Sequence, residues 1–430
     1  MERKVKAALK AWKESPFRKP LVMQGARQVG KTYTLLEFGK ESYENIAYLN
    51  FETDPQFREL FDESISPERL IPLLSRATQQ TIVSEKTLIF FDEIQLCERA
   101  LTSLKYFCEQ APEYHVVAAG SLLGIAVNRS EFSYPVGKVN LITMYPMDLE
   151  EFLWALGETD LVLSIRQGFQ NNEPLPSILH RAALERYREY LLVGGLPECV
   201  LQYAMTKNLV LVRHTQETIL LNYLDDMSKY NRENEVKKTR LVYDNITVQL
   251  SRSNTRFQYK LIKKSGRASE FENAIEWLKL SGIVGQVFRV EQAWKPLDDH
   301  RDIDSFKIYV SDVGLLAAKK NLEPNDVLYP SNDLDDFRGG QTENYVYTQL
   351  VANGYECYYW KPERDAEVDF VIQREGSVIP LEVKSTDGKI KSMRKFMKLY
   401  EPPYGFKLAT LNFGFENGIR TVPLYAAFCL

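Results

Sequence analysis

Histidine is scarce and cysteine is unpatterned in this chain. There are four histidines, and no two stand at the H-x-x-x-H spacing of a helix-borne metal site. The five cysteines, Cys97, Cys108, Cys199, Cys357 and Cys429, are odd in number and form no C-x-x-C pair. Neither a disulfide framework nor a cysteine zinc centre fits that pattern. Any metal is therefore expected to be a hard cation on oxygen ligands. No stretch approaches the roughly 20 apolar residues that a membrane-spanning helix needs. The opening MERKVKAALKAWKESPF is charged and has no apolar run of signal-peptide length. A cytoplasmic protein without membrane contact is the expectation.

What is present is the composition of a globular protein, 44% hydrophobic and 26% charged. A chain of 430 residues exceeds one ordinary core, so two to four domains are expected. The net charge of −4 argues against a nucleic-acid partner, but the charge is unevenly spread. Residues 229–267 hold eleven Lys/Arg against three Asp/Glu, and 384–398 hold six against one. Such segregation points to an anionic partner, DNA in particular, against the plainer reading of two solvated helical faces.

Hydrophobic patterning predicts strands at 21–24, 46–51, 87–91, 115–119 and 139–144, alternating with helices, the first at 33–40. That alternation predicts a parallel α/β sheet covered on both faces. Residues 147–228 read as mostly helical. Two helical patterns and a β-rich stretch, IVGQVFRV, follow over 236–296. From about 300 the chain mixes strands with a helix near 341–353 and a basic helix after 384.

Residues 25–32 (Gly25, Ala26, Arg27, Gln28, Val29, Gly30, Lys31, Thr32) fit G-x-x-x-x-G-K-[ST] between a strand and a helix. Glycines let backbone N–H groups turn inward around a phosphate, and the helix aims its N-terminus at it. Lys31 is the candidate for the β/γ oxygens and Thr32 for Mg²⁺. Four large apolar residues then lead into Asp92 and Glu93. Asp92 is the second candidate for Mg²⁺, and Glu93 the candidate general base that polarises water. ATP and Mg²⁺ are the expected cofactors.

The series GARQVGKT, YLNFE, LIFFDEIQ, VVAAGSLLG, YPMDLEEF and YLLVGGLPE resembles the bacterial and archaeal AAA+-type ATPases that carry a C-terminal DUF4143 region. The resemblance covers nearly the whole chain. It implies ATPase activity, and it places Ser121 at the sensor-1 position, where a polar side chain feels the γ-phosphate. Where relatives commonly carry Gly-Arg, this chain has Gly137-Lys138. Lysine lacks the planar fork of an arginine finger, so a finger role there is in doubt. Arg129 is a substitute by sequence proximity. Sites of this type often lie between subunits, which makes a homo-oligomer a further expectation.

Residues 257–264 and 268–280, then 283–290, have the order of a winged helix-turn-helix. Arg252, Arg256, Lys260, Lys263, Lys264 and Arg267 are candidates for phosphate contacts. Further on, EVDFVI and PLEVKS alternate as strands. Period two puts Glu382 and Lys384 on one face, with Leu381 and Val383 toward the core, and Glu367 with Asp369 on another. Together, Asp369, Glu382 and Lys384 would make an acidic pair for Mg²⁺ with a lysine to orient water. This resembles the D…E-x-K core of the PD-(D/E)XK nucleases, with Glu343 matching the carboxylate on the preceding helix.

The expected architecture is a P-loop NTPase (AAA+-like) parallel sheet over 1–148, a helical lid over 149–235, a winged helix over 236–298 and a restriction-endonuclease-like α/β domain over 299–430. The leading functional expectation is a Mg²⁺-dependent ATPase serving as a nucleotide-driven switch on DNA. Its rivals are a protein-directed ATPase regulator with a non-catalytic recognition domain and an ATP-gated DNA nuclease.

Overall fold

The computed structural model describes all residues except 122–134, 231–232, 253–255, 329–334 and 363–365. They form two compact units, one of 2–145 with 280–282 and one of 146–279 with 283–430 and Met1.

The first unit holds a sheet of five strands: β1 (Leu21–Gln24), β2 (Asn45–Asn50), β3 (Thr87–Asp92), β4 (His115–Gly120) and β5 (Asn140–Thr143). Their order is β2-β3-β4-β1-β5, and every neighbouring pair is parallel. β3 and β4 are buried along their whole length, which is why they read as unbroken apolar runs. The edge strand β2 instead alternates, burying Ala47 and Leu49. On one face, Leu49, Ile89, Phe91 and Val116 pack with Phe61, Leu70, Leu74, Leu104 and Phe107. The helix Lys31–Ser42 lies close to the strands because a Cβ on Gly39 would stand only 2.6 Å from Ile46 Cδ1. The strand order seats β4 between β1 and β3, so the C-terminal ends of all three stand side by side, where open α/β sheets place their ligands.

The second unit begins with helices, among them Leu149–Ala155, Thr159–Asn171, Ser177–Val193, Pro197–Thr206 and Leu209–Tyr230. The segment MDLEEF is a capping box. Glu151 N donates to Asp148 Oδ1 at 2.9 Å, and Asp148 N donates to Glu151 Oε2 at 3.2 Å. The VGG segment is a close crossing, because a Cβ on Gly195 would fall 1.9 Å from the Met147 carbonyl oxygen. Gly195 N donates to buried Asp312 at 2.6 Å.

An eight-stranded mixed sheet follows, made of β6 (Val284–Val290), β7 (Arg301–Val310), β8 (Tyr358–Trp360), β9 (Val368–Arg374), β10 (Ser377–Val383), β11 (Gly405–Ala409), β12 (Gly414–Glu416) and β13 (Ile419–Pro423). Its order is β12-β13-β11-β10-β9-β8-β6-β7. The helices Tyr259–Ile262 and Ala268–Leu280 precede β6, which pairs antiparallel with β7 and parallel with β8. The hairpin after these helices is thus continuous with the C-terminal strands.

Candidate nucleotide site and C-terminal carboxylate cluster

β1 enters the phosphate-type loop at Gly25. Its φ is +148°, and a Cβ there would lie 2.1 Å from the Met144 carbonyl oxygen, so only glycine fits. Gln28 is left-handed at φ 64°, strain of the kind that clusters in ligand clamps. Gly30, at φ 93°, opens the helix Lys31–Ser42. Lys31 is buried, and its Nζ donates to the carbonyls of Gly25 at 2.9 Å and Ala26 at 2.7 Å. Burial pulls this ammonium down to about 8. Arg3 braces the loop from outside the motif, donating to Val29 O and Tyr145 O, each at 2.8 Å.

Asp92 ends β3 nearly fully buried, in a shell of donors from two directions. Thr32 Oγ1 donates to its Oδ2 at 2.9 Å, Tyr48 OH at 2.9 Å and Asn50 Nδ2 at 3.2 Å. The hydroxyl and carboxylate of Thr32 and Asp92 form a hard-oxygen donor set suited to Mg²⁺. Glu93 is left-handed at φ 51°, and its Oε2 accepts from Gln95 Nε2. Burial pushes the Glu93 carboxyl above its usual range, the direction that suits a proton acceptor near neutrality. Ser121 follows β4 directly. It is buried, and its Oγ has no hydrogen-bond partner among the described residues. Lys138 lies in an exposed ion pair with Glu109 at 2.9 Å. Arg129 lies outside the described residues.

In the second unit, Asp369, Glu382 and Lys384 converge. Lys384 Nζ stands 2.8 Å from Glu382 Oε1 and 3.9 Å from Asp369 Oδ2, while Val383 N donates to Asp369 Oδ2 at 2.7 Å. The alternation expected for β10 is modified, because Leu381, Glu382 and Val383 are all buried. Burial, reinforced by the Glu382 charge, pushes the Asp369 carboxyl above its usual range. Glu382 Oε2 is buried without a hydrogen-bond partner among the described residues, so an acceptor inside the cluster is left over for a cation. Glu343 comes to the same place from the helix Asp335–Ala352, but its Oε1 accepts from Lys307 Nζ at 2.7 Å and from Tyr309 OH.

The basic residues lie on the outside. Arg252, Arg256, Lys260, Lys263, Lys264 and Arg267 are exposed, and Arg256, Lys260 and Arg267 line a cleft with Phe257 and Tyr259. Lys389, Lys391 and Arg394 are exposed along a second cleft that also includes Lys407.

A family model described as an AAA domain matches residues 17–153, and the domain of unknown function DUF4143 matches 338–426. The chain thus carries an AAA domain together with a C-terminal DUF4143 region. A second domain of unknown function, DUF8612, covers 184–326 of this AAA-type protein. No curated protein matches it. Among solved structures it is similar to the Walker-type ATPase paby2304 of Pyrococcus abyssi, at 14% identity and TM-score 0.44, covering 74% of this chain and 95% of that one. It is also similar to the ORC1 protein of Aeropyrum pernix in complex with DNA, at 12% identity and TM-score 0.30, covering 75% and 93%. Among the described residues, no helix of this AAA-domain protein is long and apolar enough to cross a membrane.

Sequence reasoning missed Arg3, Tyr48, Asn50, Gln95, Lys307 and Tyr309. The motifs YLNFE and DEIQ contain Tyr48, Asn50 and Gln95, but only the folded register, in which β2 pairs Asn50 with Asp92, brings the first two to that carboxylate.

Proposed function

We propose that this chain is a Mg²⁺-dependent ATPase that works as a nucleotide-driven switch on DNA. The observation that carries the reading is the convergence of Lys31, Thr32, Asp92 and Glu93 at the ends of β1 and β3. In this reading the backbone amides of 25–32 wrap the β-phosphate, and Lys31 exchanges the carbonyls of Gly25 and Ala26 for phosphate oxygens. Thr32 and Asp92 hold Mg²⁺, which when bound neutralises charge on the β and γ oxygens. Glu93 accepts the proton of the attacking water, and Ser121 meets the γ-phosphate with its hydroxyl. ATP occupancy biases the arrangement of residues around Glu93 and Ser121, and DNA affinity follows that bias. A neighbouring copy of the chain is the proposed source of any arginine finger, since Lys138 is a weak substitute.

ATPase assays on wild type, Lys31→Ala and Glu93→Gln test the site. The expected results are lost nucleotide binding in the first and retained, uncleaved ATP in the second; unchanged turnover in both would sink it. Exposed cations on a winged-helix-like segment and on 389–394 support DNA as the target. Failure to bind DNA even at low salt would favour a protein-directed regulator instead.

A second reading is supported by the meeting of Asp369, Glu382 and Lys384. It makes this cluster a nuclease-type cation centre, with Asp369 and Glu382 as metal ligands and Lys384 steadying a phosphate or water. DNA incubated with Mn²⁺ tests it; cutting that survives both Asp369→Ala and Lys384→Ala rules this centre out.

A further inference from the structure

Lys307 lies on β7 with its side chain 1% exposed. Its Nζ reaches Glu343 Oε1 at 2.7 Å and Glu367 Oε1 at 2.9 Å. The Tyr359 ring lies 5.0 Å from the same ammonium. Glu367 is in turn shared with Lys361 at 2.6 Å, and Tyr309 OH donates to Glu343. Glu343 and Glu367 are therefore neutralised from within the protein. Asp369 and Glu382 differ from them: Glu382 Oε1 meets Lys384, but its buried Oε2 has no hydrogen-bond partner among the described residues.

Two-metal centres that act on phosphodiesters need carboxylates able to reach both ions. Here Glu343, the further carboxylate of the nuclease-like pattern, is held at 2.7 Å by an ammonium whose side chain is buried. Expelling Lys307 would leave Glu343 with the Tyr309 hydroxyl in place of a cation, and would move a buried four-carbon stem out of the protein. A buried ion pair with good geometry resists such disruption far more than an exposed one. Burial alone would lower the Lys307 pKa, but the neighbouring Glu343 and Glu367 charges outweigh it and hold the group protonated well above its usual range.

We propose that the Lys307 ammonium is a resident cation standing where a second metal ion would bind, so that the centre holds one divalent cation, between Asp369 and Glu382. The proposal rests on the cation-centre reading above. It fits the habits of Mg²⁺, which binds through one or two carboxylates and keeps several of its waters. Glu343 then positions Lys307 rather than ligating metal.

The test is Mn²⁺ counting by electron paramagnetic resonance on the full, nucleotide-free chain. The number of ions lost on Asp369→Asn is the centre's capacity, and one is expected. Glu343→Gln is expected to leave that count unchanged and the affinity within about twofold. Lys307→Met is expected to admit a second Mn²⁺ that disappears again in the Lys307→Met, Glu343→Gln double variant. Where Lys307→Met fails to fold without metal, the Glu343→Gln arm decides alone. A capacity of two, or a tenfold loss of affinity in Glu343→Gln, overturns the resident-cation proposal while leaving the centre intact. No Mn²⁺ lost on Asp369→Asn removes the centre itself, and the proposal with it.

Discussion

The Thr32 hydroxyl and the Asp92 carboxylate, 60 residues apart in the chain, meet at 2.9 Å. One lies in the first turn of the helix after β1 and the other ends β3, with β4 between their strands. Tyr48 and Asn50 hold the same carboxylate from β2, so the direction of Asp92 is fixed by protein groups on both sides.

Removing one of those groups should weaken Mg²⁺-dependent nucleotide binding without unfolding the chain. Tyr48→Phe deletes the hydroxyl but keeps the ring against Phe90, 5.1 Å away between centroids. One hydrogen bond to a charged acceptor is worth about 1.5–3 kcal/mol, so a roughly tenfold or greater rise in the Mg²⁺ requirement is expected. Titrating Mg²⁺ against binding of a fluorescent ATP analogue, with thermal unfolding as the control, measures it.

Arg3 should matter to nucleotide binding although it lies outside the motif. Arg3→Ala removes both donors that fasten Val29 and Tyr145. A loss of about 2–4 kcal/mol is expected, read as a lower unfolding midpoint and at least tenfold weaker ATP binding. Arg3→Lys should rescue little, since a single ammonium does not reproduce the two-pronged reach of guanidinium.

Nucleotide binding should be proton-linked in alkaline solution. In the folded chain Lys31 titrates at about 8, below the ordinary 10.5. Between those values the unfolded chain binds more protons than the folded one, so the cost of burying the ammonium is full below about pH 8 and is relieved as pH rises. ATP, by placing anionic oxygens at Lys31, should restore the proton. Calorimetry in buffers of different ionisation heats should show proton uptake at about pH 9, little at about pH 6.5, and none in Lys31→Ala.

DNA affinity, if the exposed cations serve it, should fall steeply with salt. Alanine at Lys389, Lys391 or Arg394 should each reduce the log–log slope by about 1, uniformly across DNA sequences. Alanine at Lys138, already paired with Glu109, should leave the slope unchanged.

The first unit was readable from sequence because its central strands are buried on both faces and its loop has a fixed glycine spacing. The residues that meet at the nucleotide site follow from those two facts. The C-terminal cluster was only half readable. Asp369, Glu382 and Lys384 lie within one hairpin and its exit, so period two brings them together. Lys307 went unnoticed, because its partner Glu343 is 36 positions away and nothing local announces it. YPMDLEEF and VGGLPE carry the resemblance without revealing what they build. They belong to the family pattern, yet they contain a helix cap and a backbone crossing too tight for any side chain.

The parallel pairing of β6 with β8 also has an evolutionary consequence. The DUF8612 and DUF4143 segments, distinct as sequence families, share one hydrogen-bonded ladder here. Cutting between them would leave each with an open row of amides and carbonyls, an invitation to aggregate. Either segment moved alone would therefore carry an exposed strand edge, which favours keeping the two together.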